Sequence, residues 1–84
     1  MKVILLKQAL EDLAMLVRHE PKAASKALAL IEECRRDPFR GTGNPEPLKH
    51  DRTGYWSRRI TEEHRLVYRV VGEAIEVVQC RLHY

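Results

Sequence analysis

The sequence predicts an α+β domain in which two helices pack on one face of an antiparallel sheet. Three observations predict it: a short apolar start, two consecutive stretches with helical periodicity, and three later segments that alternate apolar and polar residues. A helix pair followed by a run of hairpin-connected strands is typical of the α+β class. The 84 residues allow one domain, so we expect residues 1–84 to fold as a single unit.

The N-terminal half predicts a strand and two helices. "MKVILL" is short and β-prone, and Lys7–His19 follows as an amphipathic helix. Its apolar residues recur at helical spacing: Leu10, Leu13, Leu16 and Val17. Pro21 suits the first turn of a second helix. That helix carries its own apolar stripe: Ala24, Ala27, Leu28, Ile31 and Cys34. It ends near Asp37, because Pro38 disfavours an α conformation in the residue before it.

The C-terminal half predicts a long loop and three strands. "PFRGTGNPEPLKHDRTG" contains three prolines and three glycines and has no apolar periodicity, so it is a loop. Long loops in small domains are often functional. Three strands follow, joined by short turns: "YWSRRIT", "RLVYRVV" and "AIEVVQCRLHY".

Basic charge is concentrated in the middle of the chain. The whole chain has a net charge of +3, and the seven basic and three acidic residues from Arg35 to Arg59 give that stretch +4. Arginine predominates there, and its guanidinium fork matches phosphate oxygens. An anionic partner and a plain solvated basic loop both fit this pattern.

Cysteine and histidine usage bears on cofactors and compartment. Cys34 and Cys80 have no CxxC partner, so both are expected to be small buried residues in a reducing compartment. The four histidines lack zinc-like spacing, and we expect no metal or other cofactor. His64 lies beside a turn and is expected to be solvated.

The apolar start reaches Lys7 too soon for a secretory signal, and no stretch is long enough to span a membrane. A cytoplasmic protein without a membrane partner is therefore expected.

Side-chain alternation places several cations on one sheet face. Arg59, Arg65 and His83 fall on the face away from the helices, which suits phosphate binding. An ordinary solvated face of an antiparallel sheet explains the same pattern. Arg58 shares the core-facing side with Trp56, so it must reach the sheet edge or find a partner.

Glu46 lies between Pro45 and Pro47 in the long loop. Proline fixes its own φ, and Pro47 also pushes Glu46 toward an extended conformation. The carboxylate is therefore on a stiff segment, which a catalytic acid or base needs and which a plain rigid loop also has.

Metal-free RNA cleavage needs a base for the ribose 2′-hydroxyl, cations for the transition state and an acid for the departing 5′-oxygen. The sequence offers a candidate for each role: Glu46 as base, Arg65 and Arg59 as charge stabilisers, and His83 as acid. Lys49 can stabilise the anion, and Tyr84 can stack on an unpaired base. Dependence on the 2′-hydroxyl would make such an enzyme specific for RNA.

Several motifs of the last half of the chain resemble those of one bacterial family. "PEPLKH", "WSRRI", "EEHRLVY" and the terminal "CRLHY", in this order, are similar to the YoeB toxins of the RelE superfamily. The resemblance implies a RelE-like β-α-α-β-β-β fold and a toxin of a type II toxin–antitoxin system. It also implies a ribosome-dependent endonuclease that cuts mRNA in the ribosomal A site and stops translation.

The resemblance also implies site residues and partners. Its catalytic residues match Glu46 (base), Arg65 (transition-state charge), His83 (acid) and Tyr84. Residues expected to support RNA binding or the transition state are Lys49, Arg59 and Arg58. The implied partners are a YefM-like antitoxin, the ribosome, mRNA and a second copy of the chain, with operator DNA bound through the antitoxin.

Two other functions fit the same fold class. A gyrase-inhibiting toxin of the ParE type shares the fold but predicts no Glu, Arg and His constellation. A non-catalytic nucleic-acid-binding module explains Arg59 and Arg65. It does not explain Glu46, because a fixed carboxylate repels phosphate.

Overall fold

A computed structural model of the protein describes residues 1–82. The elements follow the chain in this order: β1 (Lys2–Leu5), α1 (Lys7–His19), α2 (Pro21–Arg36), β2 (Glu46–Pro47), a 3₁₀ turn (His50–Arg52), β3 (Trp56–Arg59), β4 (Arg65–Val71) and β5 (Ala74–Gln79). The predicted strand, helix pair and three later strands are all present. The predictions for His83 and Tyr84 fall outside the described residues.

The strands form one sheet in the order β1-β5-β4-β3-β2. The α+β class is confirmed, but the sheet is mixed: β1 pairs parallel with β5, and the other pairs are antiparallel. The expectation of a wholly antiparallel sheet is therefore wrong for β1. Turn signals set the direction of strands joined by hairpins. β1 meets β5 from the other end of the chain, so no turn fixes their relative direction.

Two predicted boundaries change in the structure. The long loop contains β2, which pairs antiparallel with β3 and puts Glu46 opposite Ser57. The last strand ends at Gln79 and does not run on to the chain end. Leu82 has a φ of 62°, in the left-handed region that an extended strand excludes.

The core lies between the helix pair and one face of the sheet. Helix residues meet strand residues there: Ala9, Leu16, Ala27 and Leu30 with Leu66, Tyr68, Ile75 and Val77. Cys34 and Cys80 are fully buried, as predicted. Burial raises the pKa of the Cys34 thiol and raises that of Cys80 to about 12, so both thiols stay protonated at neutral pH. Among residues 1–82, no helix is long and apolar enough to cross a bilayer.

Helix α1 presents a different face to the core than its apolar pattern predicts. Leu16 is buried, but Leu10 and Val17 are each 57% exposed. The buried face includes Asp12, whose Oδ2 accepts a hydrogen bond from the Cys80 main-chain N–H at 3.1 Å. A buried carboxylate needs such a partner, and this bond ties α1 to the end of β5.

Candidate active site

Glu46 and Arg65 come together on the sheet. β3 separates their strands, with Ser57 opposite Glu46 on one side and Val67 on the other, and Arg65 starts β4 two residues before Val67. The Arg65 Nη1 atom lies 3.4 Å from Glu46 Oε1 and 3.5 Å from Ser57 Oγ. The carboxylate and the guanidinium proposed from the sequence are therefore in contact.

The ion pair is loose and reachable from solvent. The Arg65 side chain is 20% exposed and that of Glu46 is 45% exposed. A partly exposed pair at this distance contributes little to stability, about 1 kcal/mol or less. Its partners can therefore be separated by an incoming anion at small cost.

Glu46 lies on a short edge strand, β2. β2 is the last strand of the sheet, and Leu48 N–H continues its pairing with the Tyr55 carbonyl at 2.9 Å. Proline is tolerated on an edge strand because its missing N–H faces no neighbour. Pro47, opposite Trp56, thus stiffens β2 without breaking the sheet.

Each member of the Glu46–Arg65 pair lines an open cavity. Arg65 and Arg59, which are register partners on β4 and β3, line one cavity of about 350 Å³. Glu46, Lys49 and His50 line the other, of about 580 Å³. The structure therefore places Arg59 beside the cavity of Arg65 and Lys49 beside the cavity of Glu46.

The predicted open face is covered at its centre. Ser57 and Val67 are fully buried, whereas Arg59 is exposed and Arg65 is half-buried. Polar side chains remain at both ends of this face, with Arg69 and Glu76 at one end and Arg65 at the other. At the Arg65 end, Ser57 Oγ accepts a hydrogen bond from Arg65 Nη1. The sequence reasoning missed this contact, although alternation places both residues on one face.

Lys26 of α2 is a second residue that the sequence reasoning missed. It lines the same cavity as Arg59 and Arg65. It belongs to no motif, and its place beside the sheet follows from helix packing alone. It adds a third cation to this cavity.

Arg58 does not belong to this surface. Its side chain is fully buried, and its Nε donates to Tyr68 Oη at 3.1 Å. Its Nη atoms contact a carboxylate and three carbonyls: Glu33 Oε1 at 3.5 Å, Thr42 O at 3.3 Å, Asp37 O at 2.7 Å and Arg40 O at 2.9 Å. The expected contact of Arg58 with RNA is therefore corrected. The guanidinium anchors the loop after α2. This loop is the partner that the core-facing position of Arg58 requires.

His64 is also buried, contrary to the expectation that it is solvated. It is 2% exposed, and its Nε2 lies 2.9 Å from Glu20 Oε2. The turn residues Thr61 and Glu63 flank it without exposing the ring. The sequence places His64 beside a turn but gives no sign of Glu20, 44 positions earlier.

The proposed acid His83 and the aromatic Tyr84 lie beyond the described residues, so both roles stay predictions. The chain reaches them from Leu82, whose carbonyl accepts a hydrogen bond from Arg65 N–H at 3.1 Å. The main chain just before His83 is thus bonded to the residue that contacts Glu46.

Known proteins resemble this chain in sequence and in fold. A family model described as "YoeB-like toxin of bacterial type II toxin-antitoxin system" matches residues 5–84. The toxin YoeB of Escherichia coli K12 is 45% identical over 84 residues, the full length of both chains. A YoeB/ParE toxin from Agrobacterium tumefaciens superposes with a TM-score of 0.95 at 48% identity, and each chain is covered completely.

The YoeB of Staphylococcus aureus is similar as well. Its dimer superposes with a TM-score of 0.90 at 38% identity, covering 100% of this chain and 98% of that one. In a heterotetrameric complex with the antitoxin YefM, its TM-score is 0.88 with the same identity and coverage. Fold, site and relatives together define the class of protein, the toxin of a bacterial type II toxin–antitoxin system. Within that class, the chain belongs to the YoeB-like toxin family.

Proposed function

We propose that this toxin is an endoribonuclease that cuts mRNA in the ribosomal A site without a catalytic metal. The observation that carries the proposal is the contact between the Glu46 carboxylate and the Arg65 guanidinium at 3.4 Å, on a surface with further cations. Membership of a family within the RelE superfamily supports a ribonuclease role.

The reaction begins at the ribose 2′-hydroxyl. Glu46 takes the hydroxyl proton, and the 2′-oxygen attacks the adjacent phosphorus. Arg65 and Arg59 bind the non-bridging oxygens as negative charge develops in the phosphorane-like transition state. His83, in its protonated form, gives its proton to the 5′-oxygen as the P–O bond breaks. The products are a 2′,3′-cyclic phosphate and a free 5′-hydroxyl, so charge and protons balance.

The resting ion pair prepares both groups for this step. When the scissile phosphate arrives, the Arg65 guanidinium can exchange the Glu46 carboxylate for phosphate oxygens, its preferred bidentate partners. Glu46 is then free to take the 2′-hydroxyl proton. A carboxylate on a basic surface weakens phosphate binding, and a catalytic base explains why Glu46 lies there.

The proposed partners follow from charge and from the relatives. The exposed cations Arg59, Lys49 and Lys26 suit the phosphates of mRNA and ribosomal RNA in the A site. A YefM-like antitoxin and a homodimer are supported by the S. aureus assemblies. We expect operator DNA to be bound through the antitoxin. We place the toxin's action in the bacterial cytoplasm, where it meets ribosomes.

A translating bacterial extract tests the proposal. We expect the wild-type toxin to cut a defined mRNA at the A-site codon and to leave a 5′-hydroxyl, whereas the same RNA without ribosomes stays intact. End-labelling with polynucleotide kinase before and after phosphatase treatment distinguishes a 5′-hydroxyl from a 5′-phosphate. Intact mRNA together with inhibited gyrase supercoiling would contradict the proposal and support the ParE-type function. RNA bound but not cut would support the non-catalytic binding module.

A further inference from the structure

Both ring nitrogens of the buried His64 are bound within the protein. Nδ1 lies 2.8 Å from the main-chain nitrogen of Leu82, and Nε2 lies 2.9 Å from Glu20 Oε2. The ring is 2% exposed. One imidazole therefore joins the junction between α1 and α2, where Glu20 lies, to the end of the described chain.

These two contacts fix the tautomer of His64. The Leu82 N–H is a donor, so Nδ1 must accept and cannot carry a proton. The ring proton is then on Nε2, which donates it to the Glu20 carboxylate. Glu20 thus selects the tautomer that offers a lone pair to Leu82, as a partner on one ring nitrogen generally sets the role of the other.

Leu82 lies outside the sheet, and its main chain is held by two hydrogen bonds, of which the bond to His64 is one. Strand β5 has ended at Gln79, the Leu82 side chain is 49% exposed, and its φ of 62° is unfavourable for a residue with a Cβ atom. Its two main-chain polar groups are nevertheless both bound. The N–H donates to His64, and the carbonyl accepts from Arg65 N–H at 3.1 Å.

His64 is itself held rigidly by the turn between β3 and β4. Its carbonyl accepts from Ile60 N–H at 3.0 Å, and its N–H donates to Thr61 Oγ1 at 3.1 Å. The ring is therefore a fixed support, and Leu82 is attached to it. Such second contacts, which lock the residues around a site, are what a precise constellation requires.

We infer that His64, oriented by Glu20, is a positioning residue that holds the main chain of Leu82, the residue that precedes the proposed acid His83. The inference rests on the proposed function, in which His83 is the acid. It adds a residue that touches neither RNA nor the reacting atoms. Because His64 precedes Arg65, adjacent residues would hold Leu82 and supply the transition-state cation.

A metal site is the rival interpretation of the same cluster. Glu20, Glu63 and His64 have ligand atoms that all lie within 4.8 Å of one another. A cation there would need the lone pair of His64 Nε2, but that atom carries the proton donated to Glu20 while Nδ1 accepts from Leu82. The hydrogen bonds present therefore favour positioning.

Two substitutions of His64 separate the two ring nitrogens. In His64→Asn, Oδ1 replaces Nδ1 and still accepts from Leu82 N–H, but the side chain no longer reaches Glu20. In His64→Gln, the amide reaches Glu20 in place of Nε2, and Leu82 N–H loses its acceptor. Both variants remove a buried ring, so a purely structural role predicts similar defects in the two.

The variants are compared by single-turnover cleavage on programmed ribosomes at saturating toxin, with amide hydrogen exchange of Leu82 followed by NMR. We expect His64→Gln to cleave about 10- to 100-fold more slowly, since displacement by about 1 Å can cost about 10²-fold. Its Leu82 amide should exchange faster. His64→Asn should stay within about threefold of wild type and keep the Leu82 amide protected. Thermal unfolding and YefM binding report folding in both.

Equal rates in His64→Gln and wild type, or equal losses in both variants, would overturn the inference. If His64→Gln does not fold, the inference is tested with Glu20→Ala, a substitution at a half-exposed position. Without the Glu20 carboxylate, the ring proton can move from Nε2 to Nδ1, so the Leu82 amide should exchange faster. An unchanged exchange rate would overturn the inference. A wild-type toxin that cuts no RNA would instead contradict the proposed function, while the Leu82 exchange would still test the hold of His64.

Discussion

Glu46→Gln is expected to lower the single-turnover rate of mRNA cleavage by about 10²- to 10⁴-fold, the range for loss of a general base. Glutamine keeps the size of the side chain and an oxygen for Arg65, but it cannot take the 2′-hydroxyl proton. Because the exposed ion pair contributes little to stability, the variant should fold and bind antitoxin as the wild type does. The measurement is cleavage on programmed ribosomes at saturating toxin.

Glu73→Gln is the matched control for this change. Glu73 is exposed in the turn after β4, at the far end of that strand from Arg65. The same chemical substitution there should leave the cleavage rate within about twofold of wild type, because surface changes away from special features are nearly neutral. Equal rates for Glu46→Gln and Glu73→Gln would remove Glu46 from the mechanism.

Arg58→Met is expected to destabilise the fold by about 3–5 kcal/mol, the loss typical when one partner of a buried charge network is removed. Methionine fills part of the space but donates no hydrogen bond. Carbonyls of the loop after α2, together with Tyr68 Oη, would then lose their donor. Small domains have total stabilities of about 5–15 kcal/mol, so a large part of the folding free energy would be lost. Urea unfolding followed by Trp56 fluorescence measures it.

Two neighbours show why Arg58 is hard to replace. Burial raises the pKa of Tyr68, so its hydroxyl stays protonated and donates to the Pro38 carbonyl at 2.6 Å. Hydrogen bonds from Thr42 lower the pKa of Glu33, which keeps that carboxylate ionised beside Arg58. The guanidinium thus lies among a phenol oxygen, an ionised carboxylate and main-chain carbonyls, and a methionine side chain can donate to none of them.

Arg40→Met is the control for the Arg58 variant. Arg40 lies in the same loop with an exposed side chain, and it contacts Arg58 only through its main-chain carbonyl. Its replacement should change stability by about 0.5 kcal/mol or less. If Arg58→Met were no less stable than Arg40→Met, Arg58 would not be a structural cation.

The sequence predicted the fold because its periodic patterns are local. The helices begin at Lys7 and Pro21 as expected, and β3 and β4 lie within their predicted segments. The direction of β1 was not predictable in the same way, because its pairing with β5 joins the two ends of the chain. The two-residue strand β2 is likewise formed by pairing with β3, and no local pattern marks so short an element.

The site was predictable where chemistry constrains residue type and less so where packing decides. The contact of Glu46 with Arg65 follows a motif-based expectation, and Arg59 and Lys49 lie around it. Arg58 and His64 were misassigned, since a polar side chain in a sequence looks the same whether it meets solvent or a buried partner. Their partners lie far away along the chain, so only the three-dimensional structure brings them together.

The proposed reaction begins with attack by the ribose 2′-hydroxyl, and removal of that one oxygen atom from the substrate tests it. Programmed ribosomes carry an A-site codon that is either all-ribose or has one 2′-deoxynucleotide immediately 5′ of the scissile phosphate. Wild-type toxin is expected to cut the all-ribose codon, with a 5′-hydroxyl product, and to leave the deoxy codon intact at that bond. Cleavage of both codons at the same bond would contradict the proposed reaction.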